Sequence, residues 1–410
     1  MPQSTFRESL GLLATRRFGT FWFSSLLSSI GTWAQQVAEP WLLLSLGASP
    51  FLLGLDSFAM GAPVFLLTLV GGALADNADR RHVIALFQSI QMLCPTLIVV
   101  LLWTGLVQPW VVITLSLIVG ITDALSMPSF QTIVPSIVRS DQLAAGIALN
   151  STQFNLSRIL GPAIAGILMS SVGAAGAFAV SAASYLPFIL VALWVLPRGS
   201  KARLDAHSFH IRELGQGIRE VTADPLMRGA ILTVLATSLL TSPLITFTPV
   251  LIKEGFQGAV GHFSLAVGAF GLGGLLGATA LLAVDRGRDR RPLASWLGVS
   301  YAVLVVLAAL DRWFWWLPAL LVLAGLCMTI SNACANTLLL GAAQPGLRGR
   351  AVGVYMLAMR GGISVGSLLT GATVGLLGVR TALCVNGVLA ILAHLLIVRT
   401  WRTPPRKQRA

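Results

Sequence analysis

The chain has 410 residues, of which 55% are hydrophobic and only 10% are charged, and its mean hydropathy is +0.82. Soluble domains carry roughly 25% charged residues, so this composition excludes an ordinary soluble protein and predicts helices that cross a membrane. The net charge of +13 does not indicate nucleic-acid binding, because the basic residues lie between the apolar segments. The four cysteines lie inside apolar segments without metal-ligand spacing, so neither a metal nor another cofactor is expected.

Twelve apolar segments follow one another along the chain. Each is long enough for a hydrocarbon core of about 30 Å, which needs roughly 20 helical residues, and backbone groups in lipid must be paired within the segment. The predicted fold is therefore an all-α membrane protein with twelve transmembrane helices in two six-helix halves. The segments are Phe18–Leu46, Phe51–Ala75, Val83–Thr104, Trp110–Val134, Leu143–Val172, Ala174–Leu196, Met227–Leu251, Phe263–Val284, Pro292–Leu310, Trp313–Ala342, Ala351–Leu377 and Val379–Val398.

The distribution of Lys and Arg predicts the orientation of these helices. Of the 28 basic residues, 23 lie at the two termini and in alternate loops, which include the long central loop. Because positively charged loops stay in the cytoplasm, both termini are expected on the cytoplasmic side of a bacterial inner membrane. Arg158 and Arg360 lie far from the ends of their apolar segments.

The central loop divides the chain into residues 1–196, a cytoplasmic linker at 197–226, and residues 227–410. Within the linker, Ile211, Leu214, Ile218 and Val221 recur at helical spacing. This pattern predicts an amphipathic helix on the inner membrane surface. Its simplest role is to hold the two halves together.

The two halves repeat each other. The stretch that begins at Gly161 and ends at Gly166 matches the stretch from Gly366 to Gly371, half a chain later. A second repeat joins the loop at residues 76–81 to the loop at 285–291. Two similar six-helix halves are typical of transporters with a central site between the halves.

The loop after the second segment carries the sequence Gly72-Ala-Leu-Ala-Asp-Asn-Ala-Asp-Arg-Arg81. It resembles the loop signature of the major facilitator superfamily, with Asp79 in place of the usual Gly, a variation typical of one bacterial efflux branch. Gly31-Thr32-Trp33 with Gln35, Asp141-Gln142-Leu143 and Arg158-Ile-Leu-Gly-Pro-Ala163 resemble that branch too. Its members include exporters of enterobactin, other siderophores and macrolides.

The resemblance implies roles in the conformational cycle for several residues. The Asp76 carboxylate is expected to face a helix N-terminus, near Arg348 and Arg350, and to latch the halves on the inner side. The second repeat of this loop, around Asp285, is more degenerate. The residues of the conformational motifs are Gly72, Asp76, Arg80, Arg81, Gly161, Pro162 and Gly166. Arg80 and Arg81 are alternatively topology anchors only, and the Gly161–Gly166 stretch is either a hinge or a site of close helix packing.

Ionisable residues inside membrane helices are costly and usually face a cavity or a partner. Asp123 and Arg158 lie near mid-membrane in adjacent segments, which predicts a buried ion pair or a shared cavity. The alternative is that Arg158 binds an anionic cargo. Arg360 also lies near mid-depth, and Asn332 and Asn336 share one helix face, so these residues join the predicted substrate or proton pathway.

Glu39 and Asp56 lie in the outer half of the first two segments. A carboxylate in a dry cavity can exchange protons near neutral pH, so these residues and Asp123 are candidates for proton coupling. The alternatives are a structural pair or a residue of the outer vestibule. The fourth segment lacks the arginine that many proton-coupled drug exporters carry there, which leaves the coupling scheme open.

These features predict a secondary active exporter of a small amphipathic molecule, driven by protons, that acts as a monomer within membrane lipid. An importer of a metabolite or iron chelate is the alternative. A membrane enzyme is disfavoured, since His207 and His210 do not form a catalytic cluster. The chain has no nucleotide-binding Gly-x-x-x-x-Gly-Lys-Ser/Thr loop, so ATP drive would need another subunit. A scaffold is disfavoured because polar residues recur at comparable depth in several helices.

Overall fold

A computed structural model describes residues 11–64, 67, 70–71, 74, 78–197, 211–282, 289–344 and 347–400. Within these residues the chain forms helices and no strand. The long helices are numbered α1 to α12. They are α1 Arg16–Ser45, α2, which begins with Pro50–Gly61, α3 Arg80–Thr104, α4 Pro109–Gln131, α5 Leu143–Ser171, α6 Ala174–Trp194, α7 Pro225–Gly255, α8 Val260–Leu282, α9 Arg291–Leu310, α10 Leu317–Ala342, α11 Arg348–Leu377 and α12 Val379–Thr400.

Nine of the described helices, α3, α4 and α6 to α12, are long and apolar enough to cross a membrane. Helices α1 and α5, with 30 and 29 residues, are also long enough to cross a membrane, but they carry more polar side chains than these nine. Helix α2 is described only in part. Polar residues of a membrane helix face protein rather than lipid. Gln35 and Glu39 of α1 are accordingly buried. The all-α membrane fold predicted from the sequence is confirmed, and the described helices are consistent with twelve spans.

Turn chemistry separates successive helices. Pro50 and Pro109 occupy the first turns of α2 and α4, where a missing N–H costs no helical hydrogen bond. Gly47 and Gly105 adopt positive φ angles of 77° and 70°, a conformation that glycine reaches without a steric penalty. Short loops of this kind join neighbouring antiparallel helices.

The loops fall into two groups because successive helices run in opposite directions. We call the end of the bundle where α1 begins and α12 ends the proximal end. The opposite, distal end carries the loops at 46–49, 105–108, 172–173, 256–259, 311–313 and 378. If the positive-inside rule holds, the proximal end is cytoplasmic.

The distribution of buried apolar side chains differs between the two ends. Both halves contribute to one shared core, which includes Leu43 and Phe178 of the first half and Phe247 and Leu321 of the second. Three further clusters of buried apolar side chains do not join the halves, one around Phe188 in the first half and two in the second, around Val234 and around Cys334. The halves are thus joined through a common core distally, and each has its own core proximally.

Specific contacts close the distal end. The Lys253 ammonium of α7 donates to the Leu44 carbonyl of α1 at 3.0 Å. The rings of Trp41 on α1 and Phe263 on α8 stack with their centroids 5.7 Å apart. Both contacts join the first half to the second.

The internal repeat seen in the sequence is also present in the packing. A Cβ atom at Gly161 of α5 would lie 2.4 Å from Cβ of Trp33 on α1. A Cβ atom at Gly366 of α11 would lie 2.1 Å from the Leu239 carbonyl oxygen of α7. Equivalent glycines therefore bring the fifth helix of each half against its first helix.

The glycines at the other end of the repeated stretch pack across the two halves. A Cβ atom at Gly166 of α5 would lie 2.5 Å from Cβ of Ser264 on α8, and one at Gly371 of α11 would lie 2.8 Å from the Pro50 carbonyl oxygen of α2. Helix α5 continues through Pro162 without interruption. The repeated stretch thus provides close packing, while its role as a hinge stays a prediction.

The predicted linker contains the helix Ile211–Ala223. Val221 is fully buried, and Glu220 pairs with Arg350 of α11 at 2.6 Å. This linker helix therefore packs against the proximal end of the second half. Its position on a membrane surface and the domain boundaries stay predictions.

Candidate functional site

Two charged side chains meet between the halves at mid-depth. A guanidinium nitrogen of Arg360 on α11 lies 3.3 Å from a carboxylate oxygen of Asp123 on α4. The side chains are 38% and 45% exposed although both residues lie far from the helix ends. The pair therefore borders open space between the halves.

Arg360 lies in an irregular part of its helix. Residues Leu357–Gly361 form a π-helical turn, and a second π-helical turn, Thr237–Thr241, interrupts α7. The two turns are adjacent, since a Cβ atom at Gly362 would lie 2.7 Å from Cβ of Ser238. Single π-helical turns are frequent at functional sites.

The structure contradicts the predicted pair of Asp123 and Arg158. Asp123 pairs with Arg360 instead, and Arg158 lies with its guanidinium carbon 5.4 Å from the ring centroid of Trp33. The sequence fixes the depth of a residue in a helix but not the direction in which its side chain points. Asp123 faces α11, whereas Arg158 faces α1 and α8.

Arg158 approaches the second half of the molecule without a charged partner. A Cβ atom at Gly274 of α8 would lie 3.9 Å and 4.0 Å from two of its guanidinium nitrogens, and 3.3 Å from Oγ1 of Thr329 on α10. Among the described residues, Arg158 forms neither an ion pair within 4.0 Å nor a hydrogen bond. The Thr329 hydroxyl is buried and likewise lacks a partner.

Glu39 and Asp56 form a buried carboxyl pair near the distal end. Their residues are 2% and 7% exposed, and the two side chains are close enough to interact electrostatically. The Ser116 hydroxyl of α4 donates to Glu39 and also reaches Asp56. Within the described part of the chain, no Lys, Arg or His lies within 4.0 Å of either carboxyl group.

A polar network inside the first half was not predicted from the sequence. Ser28 donates to Gln88 at 3.3 Å, Gln88 donates to Gln91 at 2.8 Å, and Gln91 donates to Thr122 at 3.2 Å. The network joins α1, α3 and α4 and ends at Thr122, the residue before Asp123. Glutamine pairs at a spacing of three residues in an apolar helix could have indicated it.

The two predicted asparagines lie on α10. The Asn332 Oδ1 atom is buried without a hydrogen-bond partner, and the Asn332 carbonyl accepts a hydrogen bond from the Tyr355 hydroxyl at 3.3 Å. Asn336 is half-buried one turn towards the proximal end. Thr329 precedes Asn332 by three residues, so these side chains share one face of α10.

The described part of the loop signature caps α3. The Asp79 carboxylate accepts a hydrogen bond from the Arg81 backbone N–H at 3.1 Å and pairs with the Arg81 guanidinium at 2.8 Å. Hydrogen bonding to Arg81 lowers the pKa of Asp79. Arg81 also donates to the Leu193 carbonyl at 3.4 Å, and Arg80 begins the helix. Gly72 and Asp76 lie outside the described residues.

The second repeat of this loop has the same geometry. The Arg291 backbone N–H donates to the Asp289 carboxylate at 3.0 Å, and the two side chains pair at 3.0 Å. Hydrogen bonding to Arg291 lowers the pKa of Asp289. Asp79 and Asp289 therefore occupy equivalent positions in the two halves. Each aspartate accepts a hydrogen bond from the backbone N–H two residues later, Asp79 as the N-cap of α3 and Asp289 one residue before Arg290, the N-cap of α9.

Comparison with known proteins extends these observations to the whole chain. A family model described as a transmembrane secretion effector matches residues 8–410. The enterobactin exporter EntS of Shigella boydii serotype 4 is 25% identical over 99% of both chains. The multidrug efflux pump Tap of Mycolicibacterium fortuitum is 26% identical over 81% of this chain and 83% of its own. The staphyloferrin A transporter of Staphylococcus aureus is 25% identical over 64% of this chain and 66% of its own.

Solved structures share the fold at lower identity. A bacterial homologue of the human lysosomal transporter Spinster, in an inward-facing and occupied conformation, has a TM-score of 0.73, 16% identity and 98% coverage of both chains. The nucleoside transporter NupG has a TM-score of 0.71 and 16% identity, covering 95% of this chain and all of its own. These similarities agree with the helix arrangement, the internal repeat and the loop signature. The chain therefore belongs to the major facilitator superfamily, whose members are transporters rather than enzymes.

Proposed function

We propose that this protein is a proton-coupled exporter that moves a small amphipathic molecule, such as a siderophore or a drug, out of the bacterial cytoplasm. Three relatives support this proposal by their names, which describe an enterobactin exporter, a multidrug efflux pump and a staphyloferrin A transporter. In the proposed reaction, protons enter as the cargo leaves. The proposed active form is a monomer.

The arrangement of the two halves supports alternating access. The halves share one apolar core distally and have separate cores proximally. With the proximal end in the cytoplasm, as the positive-inside rule indicates, this state loads cargo from the cytoplasm. Release then requires the distal contacts, such as that of Lys253 with Leu44, to open while the proximal ends approach each other.

The buried carboxyl pair is the observation that carries the proton-coupling proposal. Two negative charges in one buried site repel each other and lack hydration, so a proton bound between Glu39 and Asp56 stabilises the pair. One oxygen of Asp56 has no hydrogen-bond partner and is free to hold that proton. Asp56 lies two residues from Gly54, which packs against the α11 backbone at Ser367. Proton binding would therefore act beside a contact between the halves.

Transport into inside-out membrane vesicles tests the proposal. Ethidium, erythromycin and 2,3-dihydroxybenzoate serve as probes, because they represent a cation, a macrolide and an aromatic carboxylate. At least one probe is expected to accumulate when the vesicle interior is acidified, and a protonophore should abolish this accumulation. Uptake only into right-side-out vesicles would instead identify an importer.

Variants of the carboxyl pair test the coupling. Glu39→Gln and Asp56→Asn should each strongly reduce proton-driven accumulation, because each removes an ionisable group of the proposed proton site. Exchange of labelled probe in the absence of a gradient should persist. Glu254→Gln is the matched control, because Glu254 is an exposed residue at the distal end of α7. Unchanged gradient dependence in both pair variants would exclude this site as the proton carrier.

A further inference from the structure

Arg158 is a charged side chain in the middle of a membrane helix, and no described acidic residue lies within ion-pair distance of it. Its helix position is the sixteenth of the 29 residues of α5. Within the described residues it has no ion pair and no hydrogen bond. Intramembrane arginines usually pair with an acid or face a functional cavity. An arginine whose five N–H donors have no acceptor among the described residues indicates that the acceptor comes from a ligand.

The surroundings of the guanidinium leave space on one side. Trp33 covers one face at 5.4 Å, and Phe154 holds the Trp33 ring with a centroid distance of 5.9 Å. Across the gap lies Gly274, which contributes no side chain. A larger residue at this position would fill the space between Arg158 and α10.

A second donor without a partner faces the same gap. The Thr329 Oγ1 atom is buried and has no hydrogen-bond partner. It lies 3.3 Å from the position that a Gly274 Cβ atom would take, and the Arg158 nitrogens lie 3.9 Å and 4.0 Å from that position. Buried polar groups are normally paired, so two donors without a described partner beside the same glycine point to a shared acceptor.

We propose that Arg158, Thr329 and Trp33 form a subsite for the carboxylate group of an aromatic or otherwise flat anionic cargo. The guanidinium binds the carboxylate through two parallel hydrogen bonds, the Thr329 hydroxyl donates a third, and the indole ring of Trp33 contacts the flat part. The inference names the cargo class of the proposed exporter and therefore rests on that function. Binding itself is independent of the direction and energy source of transport.

Binding to the purified protein in a neutral maltoside detergent tests the subsite. The probes are 2,3-dihydroxybenzoate and its neutral amide, 2,3-dihydroxybenzamide, measured by titration calorimetry. The carboxylate should bind at least about tenfold more tightly than the amide, since hydrogen bonds to charged groups contribute about 1.5–3 kcal/mol. Arg158→Gln should remove this preference, and Arg158→Lys should retain part of it. Arg312→Gln, at an exposed distal arginine, should leave it unchanged.

A steric variant tests the location without changing any charge. Gly274→Ala places a methyl group in the gap and should weaken carboxylate binding by about tenfold. Gly268→Ala is the matched control on the same helix, because a Cβ atom there meets no other atom within 4 Å. If Arg158→Gln does not fold, the comparison of Gly274→Ala with Gly268→Ala still tests whether the carboxylate binds beside Arg158.

Several results would overturn the subsite. These are equal affinity for the carboxylate and the amide, no binding of the carboxylate at millimolar concentration, or a preference that survives both Arg158→Gln and Gly274→Ala. Transport of ethidium or erythromycin with no carboxylate binding would exclude the subsite and leave the exporter. Carboxylate binding that depends on Arg158, without transport into inside-out vesicles, would keep the subsite and exclude the exporter.

Discussion

Arg158 and Arg360 lie at similar depth in equivalent helices of the two halves, yet their surroundings differ. Arg360 has a carboxylate partner in the opposite half, Asp123, at 3.3 Å. Arg158 has an aromatic ring, a glycine and an unpaired hydroxyl. A pseudo-symmetric fold thus provides two similar positions, and the side chains that face each position determine its chemistry.

The difference has a consequence for the transport cycle. The Arg360–Asp123 pair joins α11 to α4, so movement of the halves must change or break it. Arg158 contacts Trp33 and approaches Gly274 of α8, so a ligand there would contact both halves. One arginine therefore links the halves through protein, and we propose that the other links them through cargo.

The same substitution at the two arginines should change stability in opposite directions. Arg360→Gln leaves the Asp123 carboxylate alone and should lower the free energy of unfolding by about 1–2 kcal/mol, between the values for exposed and buried pairs. Arg158→Gln removes a charge without a partner and should leave stability equal or raise it by up to about 1 kcal/mol. Unfolding in mixed micelles of maltoside and dodecyl sulfate measures both. Equal losses would show that Arg158 is compensated in the folded protein.

A double-mutant cycle isolates the Asp123–Arg360 interaction. Asp123→Asn and Arg360→Gln should each destabilise the protein, and the double variant should recover about 1 kcal/mol of the combined loss, given the partial exposure of the pair. The same micelle unfolding reports the coupling. Strictly additive losses would mean that the two side chains do not interact energetically.

A carboxylate added beside Arg158 should make the surroundings of Arg158 resemble those of Arg360. Gly274→Asp introduces a β-carbon 3.9 Å from a guanidinium nitrogen, and the new carboxylate can form an ion pair with Arg158. Binding of 2,3-dihydroxybenzoate should fall by at least about tenfold, since the guanidinium donors are occupied. Gly274→Asn controls for size. If the Asp and Asn variants bind the probe equally, charge compensation is not the cause.

The fold could be predicted from the sequence because its signals are one-dimensional. Apolar segments, turn residues and the distribution of arginines are read along the chain, and the repeat of Gly161–Gly166 at Gly366–Gly371 reappears as equivalent packing. Partner choice could not be predicted in the same way. Asp123 and Arg158 have matching depth, but rotation about each helix axis directs one to α11 and the other to α1.

The carboxyl pair shows the same limit. The sequence indicates Glu39 and Asp56 separately, each as a costly residue in a membrane helix. Their proximity depends on how α1 and α2 pack. Ser116, which reaches both, is one of many serines in the apolar helices, and no local pattern distinguishes it. Single residues are therefore predictable from sequence, whereas clusters require the packing.

The smallest expected effects on stability are at the helix ends that face water, where the two halves have similar Asp–Arg ion pairs. Asp79→Ala should lower the free energy of unfolding by about 1 kcal/mol, the usual contribution of a helix N-cap. Asp79→Asn keeps the cap and removes the charged partner of Arg81 and of His82, whose Nδ1 lies 3.6 Å from the carboxylate, so its loss should be smaller. Asp289→Ala should behave similarly but more weakly, because the Asp289 side chain is 48% exposed against 27% for Asp79.

The pH dependence separates the cap from the charge. Since Arg81 lowers the pKa of folded Asp79 below the ordinary value of 3.8, the ion pair contributes at neutral pH and its contribution is lost as the pH falls through that lowered pKa. The difference in stability between wild type and Asp79→Asn should therefore be present at neutral pH and shrink below pH 4. The further loss in Asp79→Ala relative to Asp79→Asn should persist, since an amide oxygen caps the helix at any pH. A difference between wild type and Asp79→Asn that does not shrink below pH 4 would mean that it does not arise from the charge of the carboxylate.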